Sequence, residues 1–125
     1  MKIFKKDNGF TLVELLVVIG IIGILAGVAI PRVAGVREKA NISVIKSDLR
    51  SLQTALELYA VEKDGYPAEE DFSDVDFDNH EDYSYSKTAD GYKVYYDEAI
   101  NEKYYYIESS SNGVNTDENG PNTTG

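Results

Sequence analysis

The sequence predicts an α+β fold: a long N-terminal α-helix, transmembrane in its first half, packed on a small three-stranded antiparallel β-sheet. Three observations carry this reading. Residues 10–30 form an apolar run of lipid length. Beyond Pro31, the residues Ile42, Ile45, Leu49, Leu52, Leu56 and Tyr59 recur at spacings of 3 and 4, the repeat of one helix face. Eight of the ten tyrosines then fall in three short segments between 83 and 108, where aromatic side chains suit a half-buried pleated surface.

The apolar run comes first in the chain. Its 21 positions make about 32 Å of helix, against a bilayer core of about 30 Å. Fourteen of them are Leu, Ile, Val or Phe, which together favour insertion by roughly 4–8 kcal/mol. Glu14 opposes this. A carboxylate at the bilayer centre costs about 2.5–3.5 kcal/mol, and less near one end of the span, where Glu14 lies. Insertion therefore wins. Lys2, Lys5 and Lys6 precede the run with Asp7 as the sole acid among them, so the N-terminus is expected on the cytoplasmic side and everything after Pro31 outside. An ordinary secretory signal cut after Ala29, at Gly27-Val28-Ala29, is the alternative. It leaves Glu14 without a purpose, and the helical pattern continues past the cut.

The second helical half runs to about Lys63. Neither Gly nor Pro interrupts residues 36–64, and Asp64-Gly65 followed by Pro67 supplies the stop. One helix is thus expected from about Phe10 to Lys63, kinked or loosened at Pro31, which lacks the backbone N–H that a helix interior uses. The first half is apolar all round. The second has one apolar stripe that needs a cover. Tyr83–Lys87, Tyr92–Tyr96 and Lys103–Glu108 read as the three strands of that cover, the first two joined through Asp90-Gly91. Residues 66–82 read as an acidic connecting loop, and Ser109–Gly125 as polar coil. The organisation is then 1–9 leader, 10–31 membrane helix, 32–63 amphipathic continuation and 64–125 a small β domain with an acidic loop and a polar tail.

Composition excludes several functions. The formal net charge is -10, and residues 64–82 hold nine carboxylates with no Lys or Arg, so direct nucleic-acid binding is not expected. There is no cysteine, hence no disulfide framework, thiolate metal site or haem attachment. The single histidine, His80, sits among Asp78, Asn79, Glu81 and Asp82 and reads as a solvated loop residue. With no acid–base or nucleophile constellation, the chain reads as a non-enzyme with no catalytic residues. Asn115-Thr-Asp117-Glu-Asn119-Gly120 approaches the first six positions of an oxygen-ligand calcium loop, with Asn in place of the leading Asp and the twelfth position falling past Gly125. Asn115, Asp117 and Asn119 are therefore candidate calcium ligands, and a mobile polar tail is the other reading of the same residues.

The order Lys5-Lys-Asp-Asn-Gly9, then Phe10-Thr-Leu-Val-Glu14-Leu, then an unbroken apolar helix with Pro31, resembles the N-terminal signature of type IV pilins and their pseudopilin relatives. The stretch Leu52-Gln-Thr-Ala-Leu-Glu-Leu-Tyr59 to Gly65-Tyr-Pro67 is similar to the end of the long helix in major pseudopilins of type II secretion. The resemblance implies cleavage between Gly9 and Phe10 by a prepilin peptidase, N-methylation of Phe10, and assembly into a homo-oligomeric helical filament through the N-terminal helix. It implies a single-pass precursor in the cytoplasmic membrane, held in lipid before assembly, an inner-membrane assembly platform, and then an extracellular or periplasmic filament. It also implies calcium, which major pseudopilins hold with a C-terminal loop.

Elementary physics gives Glu14 a role in such a filament. Cutting before Phe10 leaves a cationic amine at the apolar end of a helix, and that amine and the Glu14 carboxylate both resist burial. Paired between neighbours, they become tolerable and set axial register. A type IV pilus subunit is the first expectation. The major pseudopilin of type II secretion comes next, then a competence-type DNA-uptake filament, and a monomeric secreted or membrane-anchored binding domain stands as the rival from another class.

Overall fold

A computed structural model describes Gly9 and residues 11–121. The chain divides into two units, Met1–Lys39 and Ala40–Gly125, and one helix, α1 (Leu12–Lys63), contributes residues to both.

In the first unit α1 is exposed at nearly every position, with only Ala26 and Glu38 half-buried. From Leu12 to Ile30 its large apolar side chains face outward, and none of the unit's described residues is buried. The helix is long and apolar enough to cross a membrane. Among the unit's described residues nothing covers this surface, which is of the kind that lipid or other helices cover. The helix starts at Leu12, slightly later than expected. Pro31 lies inside α1, and the helix continues on both sides of it.

The second unit has a core. Ile45, Leu49, Leu52 and Leu56 are buried, the last three completely, while Ile42 and Tyr59 at the ends of the stripe are partly buried and pack against them. The strands β1 (Tyr83–Thr88), β2 (Gly91–Tyr96) and β3 (Tyr104–Glu108) supply the opposing Tyr83, Tyr92, Val94, Tyr105 and Ile107. The alternation of β3, in which Tyr105 and Ile107 are buried between more exposed neighbours, is the period of a strand with one face on the core.

The sheet has four strands, not three. The tail expected as coil contains β4 (Asn115–Asp117), and the strand order is β1-β2-β3-β4, antiparallel throughout. Tyr104 faces Asp117, Tyr105 faces Thr116 and Tyr106 faces Asn115. Asn-Thr-Asp has poor intrinsic strand preference, so the open edge of β3 selects this conformation rather than the local sequence. The β1–β2 hairpin is tighter than expected, because Thr88 pairs with Gly91 and only Ala89 and Asp90 turn. Gly91 is required there. A Cβ at this position would fall on the Ser109 side chain, whose Oγ accepts the Tyr92 N–H at 3.3 Å.

The acidic loop is also more than a solvated connection. Glu69–Asp74 and His80–Asp82 form short 3-10 helices, and Phe72 and Val75 are buried in the core. His80 is not a free loop residue. Its Nε2–H donates to the Val75 carbonyl at 3.0 Å, and its ring meets Phe72 and Phe77 edge-on at 5.1 and 5.8 Å. The carboxylates point outward while every third or so residue is apolar and points in, which is how so acidic a segment can cover a core.

Candidate functional site

The start of α1 carries the site. Thr11 precedes the helix, and its carbonyl accepts the first helical hydrogen bond from Leu15 N at 3.1 Å. Its Oγ1 accepts the Glu14 N–H at 3.1 Å, and the Glu14 Oε2 accepts the Thr11 N–H at 3.1 Å. This reciprocal pair is a capping box: each side chain satisfies a backbone donor that the helix itself leaves open. The carboxylate also lies in the first turn, where the helix dipole favours negative charge. The sequence signal was Thr-x-x-Glu directly before an apolar run, and sequence reasoning passed over Thr11 by treating Glu14 alone.

The surroundings of Glu14 are apolar. Val13, Val17 and Val18 form a shallow concavity with it on the exposed helix surface. A carboxylate so placed keeps a short polar reach within a hydrocarbon surface, where a cationic group gains more from it than in water. Gly9 is exposed, and a Cβ built there would meet nothing within 4 Å. Phe10 lies outside the described residues. Pro31 stands at the far end of the apolar run, a span of helix away from Glu14.

The candidate calcium ligands gather elsewhere, on β4 and the turn after it. Asp117 Oδ1 accepts from Asn119 N at 3.1 Å and Asn119 Nδ2 at 3.3 Å, while its Oδ2 accepts the Tyr95 hydroxyl at 3.3 Å. Asn115 Nδ2 donates to Ser111 Oγ at 2.9 Å. The backbone N–H of Asn119, above all, holds the Asp117 carboxyl below the usual carboxylate range, with the Tyr95 hydroxyl adding to the effect. Among the described residues no group of three or more His, Cys, Asp and Glu is placed to hold a metal ion. Tyr95 was not among the sequence-derived site residues, and only the register of β2, β3 and β4 brings it to Asp117.

An exposed apolar helix that opens on a Thr–Glu capping box and continues into a small α+β unit fits the prepilin class of subunit. Residues 4–30 match the prokaryotic N-terminal methylation motif. Residues 32–118 match the type II secretion system protein G family, and the chain belongs to that family. Among curated relatives, the type II secretion system core protein G of Klebsiella pneumoniae is 41% identical over 66 residues, which is 53% of this chain and 47% of the relative. The Escherichia coli K12 protein of the same name is 42% identical over 67 residues, 54% of this chain and 46% of the relative. That of Pseudomonas aeruginosa is 36% identical over 64 residues, 51% and 45% respectively. The matched stretch thus spans about half the length of these relatives. No solved structure matches. The pilin-like reading of the sequence fits this family, and the match lies nearer to the major pseudopilin than to the type IV pilus subunit that sequence reasoning placed first.

Proposed function

We propose that this chain is the repeating structural subunit of a pseudopilus, the filament of a type II secretion system, and not an enzyme. The precursor sits in the cytoplasmic membrane with residues 1–9 inside, a prepilin peptidase cuts between Gly9 and Phe10 and methylates the new amine, and an assembly platform draws the mature chain into the filament. The observation that supports this best is the pairing of a protein G match over residues 32–118 with a stretch of α1, Leu12 to Ile30, whose large apolar side chains are all exposed. A helix surface of that kind is stable only in lipid or against copies of itself. Glu14 serves both settings. In the single subunit it caps its own helix through Thr11, and in the filament its carboxylate meets the methylated amine of a neighbouring Phe10 and sets register.

Intact-mass analysis of the membrane and filament forms tests the reading. The expected mature chain lacks residues 1–9 and carries one extra methyl group. A terminus at Ile30 overturns the filament and returns the chain to simple secretion.

A further inference from the structure

We infer that the C-terminal segment of this chain is latched onto the outer face of its sheet by Tyr95 and Asp117, without a bound metal. The register places the parts. Tyr95 on β2 faces Tyr106 on β3, which faces Asn115 on β4, and Tyr104 on β3 faces Asp117. All five side chains therefore stand on the face opposite the core residues Val94 and Ile107, where Tyr95 is buried but lies outside the core cluster. From there the Tyr95 hydroxyl reaches diagonally over β3 to Asp117 Oδ2. Its ring has two close neighbours: it lies 4.9 Å from the Tyr106 ring, and the Lys93 ammonium sits 5.4 Å from Tyr95 and 4.4 Å from Tyr106. A tyrosine so packed offers its hydroxyl with little further loss of rotamer freedom.

Asp117 passes the restraint along the chain. Its Oδ1 takes both the backbone and side-chain N–H of Asn119, which turns the segment back over the sheet. Gly120 completes the turn at φ +74°, so close to Tyr104 that a Cβ would lie 2.9 Å from the ring. A hydroxyl, an amide pair and a ring thus hold residues 117–120.

The same contacts argue against calcium at these residues. Calcium takes six to eight oxygens. The three candidates bring one carboxylate, and both of its oxygens already accept from N–H or O–H groups, whose positive ends would face the cation. The extended backbone of β4 also turns Thr116 to the other face. A cation here would first have to break the Tyr95 contact. The lowered carboxyl pKa of Asp117 is consistent with the latch. Its stabilising effect is full above the ordinary carboxylate range and is lost as pH falls through the folded value.

The test uses the full chain in detergent micelles, with hydrogen exchange at the Asn119 amide and thermal unfolding, each in excess calcium chloride and in chelator. Equal protection and equal melting in the two buffers are expected. Tyr95→Phe should speed Asn119 exchange by about fivefold in both, the loss of one ordinary hydrogen bond. Asp117→Asn should act in the same direction and more strongly, with exchange at Leu52 and Leu56 unchanged as the control for folding. Two results overturn the latch. One is a calcium-dependent rise in melting temperature, about 10 °C or more at a hundredfold excess over Kd, that Asp117→Ala abolishes. The other is native exchange at Asn119 in Tyr95→Phe. Either outcome leaves the filament reading untouched, because no residue of the latch lies in α1.

Discussion

Thr11 and Glu14 satisfy each other across the first turn of α1, each side chain accepting the other's backbone N–H at 3.1 Å. A glutamate inside a lipid-length run is thereby explained before any partner is considered. Left open, the Thr11 and Glu14 amides would sit unpaired at the edge of hydrocarbon, at a cost of the order of 1–3 kcal/mol each.

Thr11→Val keeps the branched shape and removes the hydroxyl. It should fray the first turn by about 0.5–2 kcal/mol, read as several-fold faster hydrogen exchange at the Glu14 amide in micelles. Membrane insertion should persist, since the apolar run is unchanged. Exchange at the native rate would remove the cap from the account.

Glu14→Ala and Glu14→Gln separate the two roles of the carboxylate. Alanine loses both the cap and the charge. Glutamine keeps an oxygen that can accept the Thr11 N–H and loses only the charge. If register in the filament depends on an ion pair with a neighbour's amine, neither variant should form filaments in electron micrographs, although both should insert and be processed at Gly9. Normal filaments from Glu14→Gln would reduce Glu14 to a helix cap.

Leu52 and Leu56 are fully buried under the sheet. Replacing either with Ala should destabilise the second unit by about 2–5 kcal/mol in chemical denaturation, because the site loses transfer free energy and keeps part of the cavity. Values near zero at both positions would refute the helix-on-sheet core.

Tyr92 makes the opposite case. Its ring is buried, but among the described residues its hydroxyl has no partner in hydrogen-bonding geometry, while the neighbouring Glu57 carboxylate accepts from Tyr66 at 3.0 and 3.1 Å. Tyr92→Phe should leave stability unchanged or raise it by about 1 kcal/mol, since it deletes an unsatisfied buried group. A loss above about 2 kcal/mol would mean that the hydroxyl is bonded in solution.

Alkali should unfold the second unit through its tyrosines. Burial raises Tyr85 to about 12 and Tyr83 and Tyr92 further, with the Asp48 carboxylate adding to the effect at Tyr83 and Glu57 at Tyr92. A folded pKa above the unfolded value stabilises the fold below about pH 10, and that contribution is lost as pH rises through the folded value. Tyrosinate absorbance and circular dichroism should therefore change together between about pH 10 and 12. Full tyrosinate formation at pH 11 with an intact fold would contradict the burial.

What the sequence determined by itself was local or periodic. The lipid-length run, the Ile42–Tyr59 stripe and the end of α1 near Lys63 follow from hydropathy and from the 3.6-residue repeat, which each segment carries without reference to the rest of the chain. The three aromatic strands were legible for the same reason. Thr-x-x-Glu was legible too, because a capping box spans only four residues.

Only the tertiary structure decided the remainder. Asn115–Asp117 became a strand because β3 had an open edge, not because Asn-Thr-Asp favours one. Phe72 and Val75 left an acidic loop for the core because the stripe and the sheet left room for them, and His80 followed to cap the Val75 carbonyl. Tyr95 and Asp117 lie 22 positions apart and meet only through the combined register of three strands. Such contacts depend on where distant backbone is placed, and a one-residue slip of β4 would turn Asp117 to the other face. Local pattern has no access to that information, which is why the sequence offered Asp117 as a candidate ligand and gave no sign of Tyr95.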